Sequence, residues 1–167
     1  LLLMSARFRA TPVISLVLAP PSPAVFSVAQ VLGFVVAPSS MPVAINKAQP
    51  VVTGWVRVNN STHFCIAGYP SMLALPHDMI GIAMTNASAT VAPTYSKEKL
   101  LGTNPIAVAI PAGKEQPFVA DFATTTAANG KLEMLQRKNE NAPGGWVQTK
   151  DGTPSTDANE LKIGGAL

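Results

Sequence analysis

The sequence predicts an α/β fold in which crossover helices join the strands of a mixed sheet. Short β-type runs alternate with helix-capable segments along the chain, and residues 80–85 form a continuous apolar run typical of a strand buried on both faces. A short polar link between the runs at 105–111 and 118–121 is typical of a hairpin. No Gly-x-Gly-x-x-Gly or Gly-x-x-x-x-Gly-Lys-Ser/Thr string occurs, so we expect a non-Rossmann fold.

The composition excludes several classes of protein. With 167 residues, 47% of them hydrophobic and 13% charged, the chain fits one globular domain or part of a larger protein. The net charge of +3 is not gathered into a basic patch, so we expect no nucleic-acid partner. No apolar run approaches the roughly 20 residues that span a bilayer, so we expect no membrane partner. A single cysteine and the lack of a secretory signal pattern favour a cytoplasmic location.

The first third of the chain predicts a strand, an irregular stretch and a helix. The strand begins near Thr11 and ends before a proline-rich connection. Residues 24–36 are apolar with scattered turn residues. A short helix is expected to begin near Ser39 or Ser40 and run to about residue 48, because Pro42 is tolerated in a first turn.

The central part predicts a strand, a crossover helix and a second strand. Residues 54–58 form the first strand, which breaks into a polar turn that presents His63. Residues 66–77 are helix-capable, and Pro70 and Pro76 are expected to kink this helix or divide it into two short pieces. With the strand at 80–85, this order predicts a βαβ unit.

The last third predicts two adjacent strands, a helix and a run of turns. The strands are those at 105–111 and 118–121, and hydroxyls of residues 124–126 are expected to cap a helix that ends near Arg137. Residues 139–157 predict turns around one short strand at 146–148.

Few side chains are candidates for chemistry. His63 follows a strand and precedes a helix, a position at which a histidine can work as an acid or base. A partly buried histidine bonded to neighbouring backbone is the alternative. Asp121 is favoured as a cap of the following helix over a chemical role, and Thr103 with Asn104 could form a turn.

Two further classes of site are disfavoured by the same residues. Cys65 is expected among buried apolar side chains with no histidine placed to deprotonate it, which argues against a nucleophile. His63 and His77 lack the spacing of metal ligands, so no metal site is predicted.

Several blocks of residues resemble the malate/L-lactate dehydrogenase family. This non-Rossmann group also includes sulfolactate, ureidoglycolate and cyclic-imino-acid reductases. The blocks are Asn-Ser-Thr-His-Phe at 60–64, Met-Ile-Gly-Ile-Ala-Met-Thr-Asn-Ala-Ser at 79–88, Leu-Gly-Thr-Asn-Pro-Ile-Ala at 101–107, Asp-Phe-Ala-Thr at 121–124 and Gly-Lys at 130–131. The resemblance covers residues 11–167 and is strongest after residue 54.

The resemblance implies a fold and an activity. It implies an incomplete malate/L-lactate dehydrogenase-like fold, with a partly irregular strand and helix region at 1–53 and a central cofactor- and substrate-binding region at 54–167. The implied activity is hydride transfer between the nicotinamide of NAD or NADP and the C2 of a small 2-hydroxy acid, or of the corresponding 2-oxo acid in reverse. The implied assembly is a homodimer.

The resemblance also assigns roles to individual residues. His63 matches a proton acceptor of some family members, and Thr103 matches a substrate-contacting threonine. The residues that match cofactor-binding positions are Phe64, Cys65, Ile66, Ala67, Gly68, Ala87, Asp121, Phe122 and Ala123.

The sequence departs from the family pattern at several positions. Most members have glycine at the position of Cys65. At the position of Ala87, some members have a serine that contacts the cofactor. The Ser-His-Gly segment, whose histidine donates the proton in some members, has no counterpart in this sequence. The alternative interpretations are a truncated, inactive remnant that retains at most nucleotide binding or dimerisation, and an α/β binding module unrelated to this activity.

Overall fold

The computed structural model describes residues 14–18, 23–28 and 32–167. Two compact units make up the chain, the first from Leu1–Ala83 with Ala107–Asp121 and the second from Met84–Ile106 with Phe122–Leu167. No described helix is long and apolar enough to cross a membrane. The regional division predicted at residue 53 stays a prediction, because it concerns where ligands bind.

The first unit begins with a mixed three-stranded sheet in the order β1-β2-β3. Strand β1 is Ile14–Leu18, β2 is Ala24–Val28 and β3 is Val56–Asn59. Strands β1 and β2 pair antiparallel, whereas β2 and β3 pair parallel. This sheet confirms the predicted mixed α/β class. The part of the first predicted strand at residues 11–13 lies outside the described residues.

Helix α1, Gly33–Val51, makes the crossover between the parallel strands β2 and β3. One side of α1 packs on the sheet, where Val28, Val36 and Val58 form an apolar cluster. The predicted helix start at Ser39 or Ser40 is wrong, because burial of the helix face outweighs the helix-breaking effect of its internal prolines. Strand β2 was also missed, since its residues were expected to be irregular.

Two short helical pieces follow β3, as predicted. Helix α2 is Gly68–Met72, and a 3-10 helix is Leu75–His77. Strand β4, Gly81–Met84, then begins a second sheet. The predicted βαβ unit is therefore wrong at this place, because β3 and β4 lie in different sheets and the true parallel crossover is β2-α1-β3.

The second sheet has the order β4-β5-β6, where β5 is Ile106–Ile110 and β6 is Phe118–Phe122. The adjacency of β5 and β6 confirms the prediction of neighbouring strands. Burial of β4 on both faces is wrong, because Ile82 is 43% exposed and Met84 is 53% exposed.

The second unit contains helix α3, Asn129–Lys138, and the antiparallel pair β7, Val147–Gln148, and β8, Pro154–Ser155. Leu132, Ala142 and Val147 form its buried apolar cluster. The residue before α3 is Ala128, which makes no side-chain cap hydrogen bond, so the predicted hydroxyl cap is wrong. The short strand predicted at 146–148 is confirmed, and β8 was missed among the predicted turns.

Candidate functional site

The chain leaves the first sheet at the carboxyl end of β3 and forms the His63 loop, which we define as residues 60–67. Asn60 has a φ of 62°, a conformation that asparagine tolerates better than most residues. The Asn60 side chain donates a hydrogen bond to the Ser27 hydroxyl, 3.4 Å away, on the neighbouring parallel strand. The loop therefore starts where the carboxyl ends of two parallel strands meet, as open α/β sheets arrange their ligand sites.

The first residue of α1 supports this loop. Gly33 is buried, and a Cβ at this position would contact the Thr62 carbonyl oxygen and lie only 2.7 Å from Phe64 Cβ and 2.9 Å from the His63 carbonyl carbon. Only glycine allows this approach without displacement of backbone. Sequence reasoning missed Gly33 because the helix was predicted to begin after it; a glycine at a strand-to-helix junction was the available signal.

The His63 ring is exposed and has a defined hydrogen bond. The backbone N–H of Cys65 donates to His63 Nδ1 at 3.0 Å. A nitrogen that accepts a hydrogen bond carries no proton, so the neutral ring carries its proton on Nε2. In this arrangement Nε2 is a hydrogen-bond donor, suited to a keto or carboxylate oxygen. Proton acceptance by the ring requires Nδ1 to give up its bond to Cys65.

Cys65 occupies a backbone conformation that favours glycine. Its φ is 69°, and a non-glycine residue in the left-handed region costs about 1–2 kcal/mol. The residue is exposed, and its neighbour Ile66 is 62% exposed. The expected burial among apolar side chains is thus wrong, because the loop turns this stretch outward.

Asp121 contacts the start of α2. One carboxylate oxygen, Oδ2, accepts the backbone N–H of Gly68 at 2.6 Å. The predicted preference for a cap of the following helix is wrong, because α3 begins eight residues later at Asn129 and the carboxylate lies against α2 instead. The Asp121 carboxylate thus binds an N–H at the start of a helix, as carboxylates commonly do. The helix is α2, which precedes Asp121 in the chain.

The loop fits one part of a dinucleotide better than another. The N–H groups of Cys65 and Gly68 already have acceptors within the chain, so they cannot both bind a pyrophosphate while these bonds persist. The exposed side chain of Ile66 offers apolar surface that suits a nicotinamide ring. The geometry of this unit therefore fits the nicotinamide end of such a cofactor in kind and does not form a phosphate cradle.

In the second unit, Thr103 lies in a set of interlocked segments that we call the Thr103 cluster: Ala87, Gly102, Thr103, Asn104 and Thr124. The Ala87 N–H donates to Asn104 Oδ1 at 3.0 Å. The Thr103 carbonyl accepts the N–H of Thr124 at 2.8 Å and its hydroxyl at 3.0 Å. A Cβ on Gly102 would lie 2.6 Å from the Ala87 carbonyl carbon.

The structure therefore brings together two subsets of the predicted residues. The first unit joins His63 to Cys65 and Gly68 to Asp121. The second unit joins Ala87 to the residue after Thr103, and Thr103 to the residue after Ala123. Phe64, Ile66 and Ala67 belong to the His63 loop, and Phe122, 54% exposed, follows Asp121 at the end of β6.

Comparison with known proteins identifies the family. A family model described as malate/L-lactate dehydrogenase matches residues 2–167. The chain belongs to the malate/L-lactate dehydrogenase family. The resemblance expected from the sequence blocks is confirmed.

Relatives within the malate/L-lactate dehydrogenase family are close in sequence and structure. A malate dehydrogenase from Pyrococcus horikoshii is 42% identical over 165 residues, which cover 99% of this chain and 46% of that protein. A malate/(S)-sulfolactate dehydrogenase from Methanothermus fervidus is 47% identical over 136 residues, 81% of this chain and 40% of that protein.

The fold is also that of the malate/L-lactate dehydrogenase family. A solved structure of sulfolactate dehydrogenase from Methanocaldococcus jannaschii matches with a TM-score of 0.85 at 41% identity, covering 98% of this chain and 47% of that chain. The chain spans about half the length of the relatives it matches.

Proposed function

We propose that this chain contributes to an NAD(P)-dependent oxidoreductase that transfers a hydride between nicotinamide and the C2 of a small 2-hydroxy acid. The observation that carries the proposal is an exposed imidazole at the carboxyl end of a parallel strand pair, in a chain that matches the family over residues 2–167. Names of the relatives support malate, lactate and sulfolactate as the substrate class. The corresponding 2-oxo acids are the substrates of the reverse reaction.

His63 is proposed as the group that moves the proton. In the reductive direction, the protonated ring gives its Nδ1 proton to the keto oxygen as C2 is reduced, and Nδ1 then accepts the Cys65 N–H again. In the oxidative direction, the ring takes the hydroxyl proton on Nδ1 after the bond from the Cys65 N–H is released. Bound nicotinamide supplies the hydride acceptor or donor in these two directions.

The remaining roles follow the resemblance. In the first unit, we assign cofactor contacts to Phe64, Cys65, Ile66, Ala67 and Gly68, the last of which is bonded to the Asp121 carboxylate. In the second unit, we assign cofactor contacts to Ala87, Phe122 and Ala123, and a substrate contact to Thr103. The proposal accommodates NAD and NADP equally. It includes a homodimer, which the resemblance predicts, and a cytoplasmic location, which the cysteine content predicts.

The test uses the 167-residue chain and its two histidines. Titration with NADH and NADPH, followed by cofactor fluorescence, measures binding, and cofactor absorbance measures turnover with malate, lactate and sulfolactate. His63→Ala should retain cofactor affinity and lose about 100-fold or more in turnover, the usual contribution of general acid–base catalysis. His77→Ala is the matched control, because His77 is also exposed but lies in the 3-10 helix. Equal turnover of wild type and His63→Ala would contradict the assigned role.

A second candidate function is nucleotide binding without turnover. It is favoured by the bond from the Cys65 N–H to His63 Nδ1, which occupies the nitrogen that would take the proton. A measurable NADH affinity with no oxidation or reduction of any of the three acids would select this function. Turnover by the wild-type chain would exclude it.

A further inference from the structure

Gly68 is held at both of its backbone polar groups. Its N–H donates to Asp121 Oδ2 at 2.6 Å, and its carbonyl accepts the Ser71 hydroxyl at 2.7 Å. Gly68 and Ser71 are both buried. Asp121 lies 53 residues further along the chain, on β6, so the first of these bonds connects the end of the His63 loop to the second sheet.

The position of Gly68 explains why this bond matters. The first N–H groups of a helix have no partner within the helix, and a buried donor without an acceptor destabilises the folded state. The carboxylate satisfies the N–H with a charge-assisted bond, which is stronger than a bond to a neutral acceptor. A Cβ on residue 68 would lie 2.9 Å from the same Oδ2, so glycine is what lets the carboxylate approach.

The His63 loop therefore has one anchor at each end. Near its beginning, the backbone of Thr62 and His63 packs on Gly33 of α1. At its far end, Gly68 is bonded to Asp121. The loop backbone between the anchors includes the Cys65 N–H that orients the imidazole.

We propose that Asp121 is a positioning residue, which fixes the His63 loop through Gly68 and thereby sets the place of the imidazole and of the neighbouring cofactor-binding backbone. This inference rests on the proposed function for its consequence in cofactor binding, but the positioning itself does not depend on it. The bond from the Gly68 N–H holds Oδ2 of Asp121 against the start of α2. Asp121 thus acts through the loop rather than through substrate contact.

The test measures amide hydrogen exchange by NMR in the 167-residue chain and in three variants. Asp121→Ala removes the acceptor, Asp121→Asn retains an oxygen that can accept the Gly68 N–H, and Glu115→Ala removes an exposed carboxylate from the link before β6. Asp121→Ala should speed exchange of the Gly68 amide about tenfold or more, and speed that of Cys65 as well. Asp121→Asn should restore most of the protection, and Glu115→Ala should leave it unchanged.

Local and global effects separate in the same spectra. Amides of β3, which pair with β2, should exchange at the wild-type rate in Asp121→Ala, because only the loop is released. Equal acceleration at β3 and Gly68 would mean general destabilisation and would overturn the proposal. Unchanged exchange at Gly68 would overturn it as well.

Cofactor affinity provides the second readout. Asp121→Ala should weaken NADH binding several-fold, and Asp121→Asn should bind within about twofold of wild type, in line with the net value of one hydrogen bond. Loss of affinity in both variants would assign Asp121 as a direct ligand and overturn the positioning role. If the wild-type chain binds no NADH, the proposed function fails, whereas the exchange pattern at Gly68 still decides the positioning role.

Discussion

The His63 loop and the Thr103 cluster are built in different ways. The loop is anchored near its ends, at Gly33 and Gly68, and exposes the side chains of His63 and Cys65 between the anchors. The Thr103 cluster is bonded within itself, through Asn104 to Ala87 and through the Thr103 carbonyl to Thr124.

This difference in hydrogen bonding indicates which of the two regions can change conformation locally. A loop that is anchored near both ends can release one internal hydrogen bond, such as that between Cys65 and His63, and keep its position. A cluster whose carbonyl and amide groups bond to one another has no such freedom. We infer that His63, the proposed proton acceptor, belongs to the adaptable region and that the Thr103 cluster supplies a rigid surface.

The largest expected effect comes from the helix-side anchor of the loop. Gly33→Ala should lower the free energy of unfolding by about 3 kcal/mol or more, because its Cβ would press against backbone of the His63 loop. Gly130→Ala is the matched control, since nothing lies within 4 Å of a Cβ there and alanine favours the α3 helix by about 1 kcal/mol. Urea unfolding measures both. Equal stability of the two variants would contradict the anchor.

The next effect tests the rigidity of the Thr103 cluster. Asn104→Ala leaves the Ala87 N–H without its acceptor and should cost about 1–3 kcal/mol in unfolding free energy. Asn104→Asp keeps an oxygen at the same place and should cost less. If alanine and aspartate are equally destabilising in urea unfolding, the bond to Ala87 does not hold this cluster together.

A smaller effect, of opposite sign, is expected at the middle of the loop. Cys65→Gly should raise the unfolding free energy by up to about 1 kcal/mol, because glycine adopts positive φ without steric cost and this gain exceeds its entropic penalty. Cys65→Ala retains a Cβ and should bring no gain. A destabilised glycine variant would show that the strain at residue 65 is not relieved in this way.

The smallest perturbation concerns one proton. At a pH where the ring is neutral, the ring nitrogen shifts of His63 in long-range proton–nitrogen spectra should be those of the form protonated on Nε2. His77, for which no bond to Nδ1 is described, serves as the internal reference within the part of the chain that the structure covers. A His63 ring protonated on Nδ1 would mean that the Cys65 N–H does not orient it.

Local patterns predicted the features that depend on neighbouring residues. The strand before His63, the division of residues 66–77 into two helical pieces and the adjacency of β5 and β6 follow from polar turns and prolines along the chain. The resemblance indicated that most family members have glycine at position 65, and the positive φ of Cys65 gives the physical reason.

Features that depend on distant residues were not predictable in the same way. The three prolines in α1 led to the prediction of a short helix. Packing of Val36 against Val28 and Val58 stabilises the longer helix that the structure shows. Because β2 and the full length of α1 were not predicted, the sequence indicated a crossover after β3 rather than before it. The bond between Gly68 and Asp121 joins residues 53 positions apart, and no local pattern records such a pair.

The most direct test of the account is a titration of the isotope-labelled 167-residue chain with NADH, followed by amide chemical shifts. The account predicts progressive, saturable shifts at the loop amides of Ile66, Ala67 and Gly68, with Val147 of β7 unaffected. Two results would contradict the proposal that the His63 loop binds the nicotinamide cofactor. One is saturable shifts elsewhere with unchanged chemical shifts at the loop amides, and the other is no shifts at all.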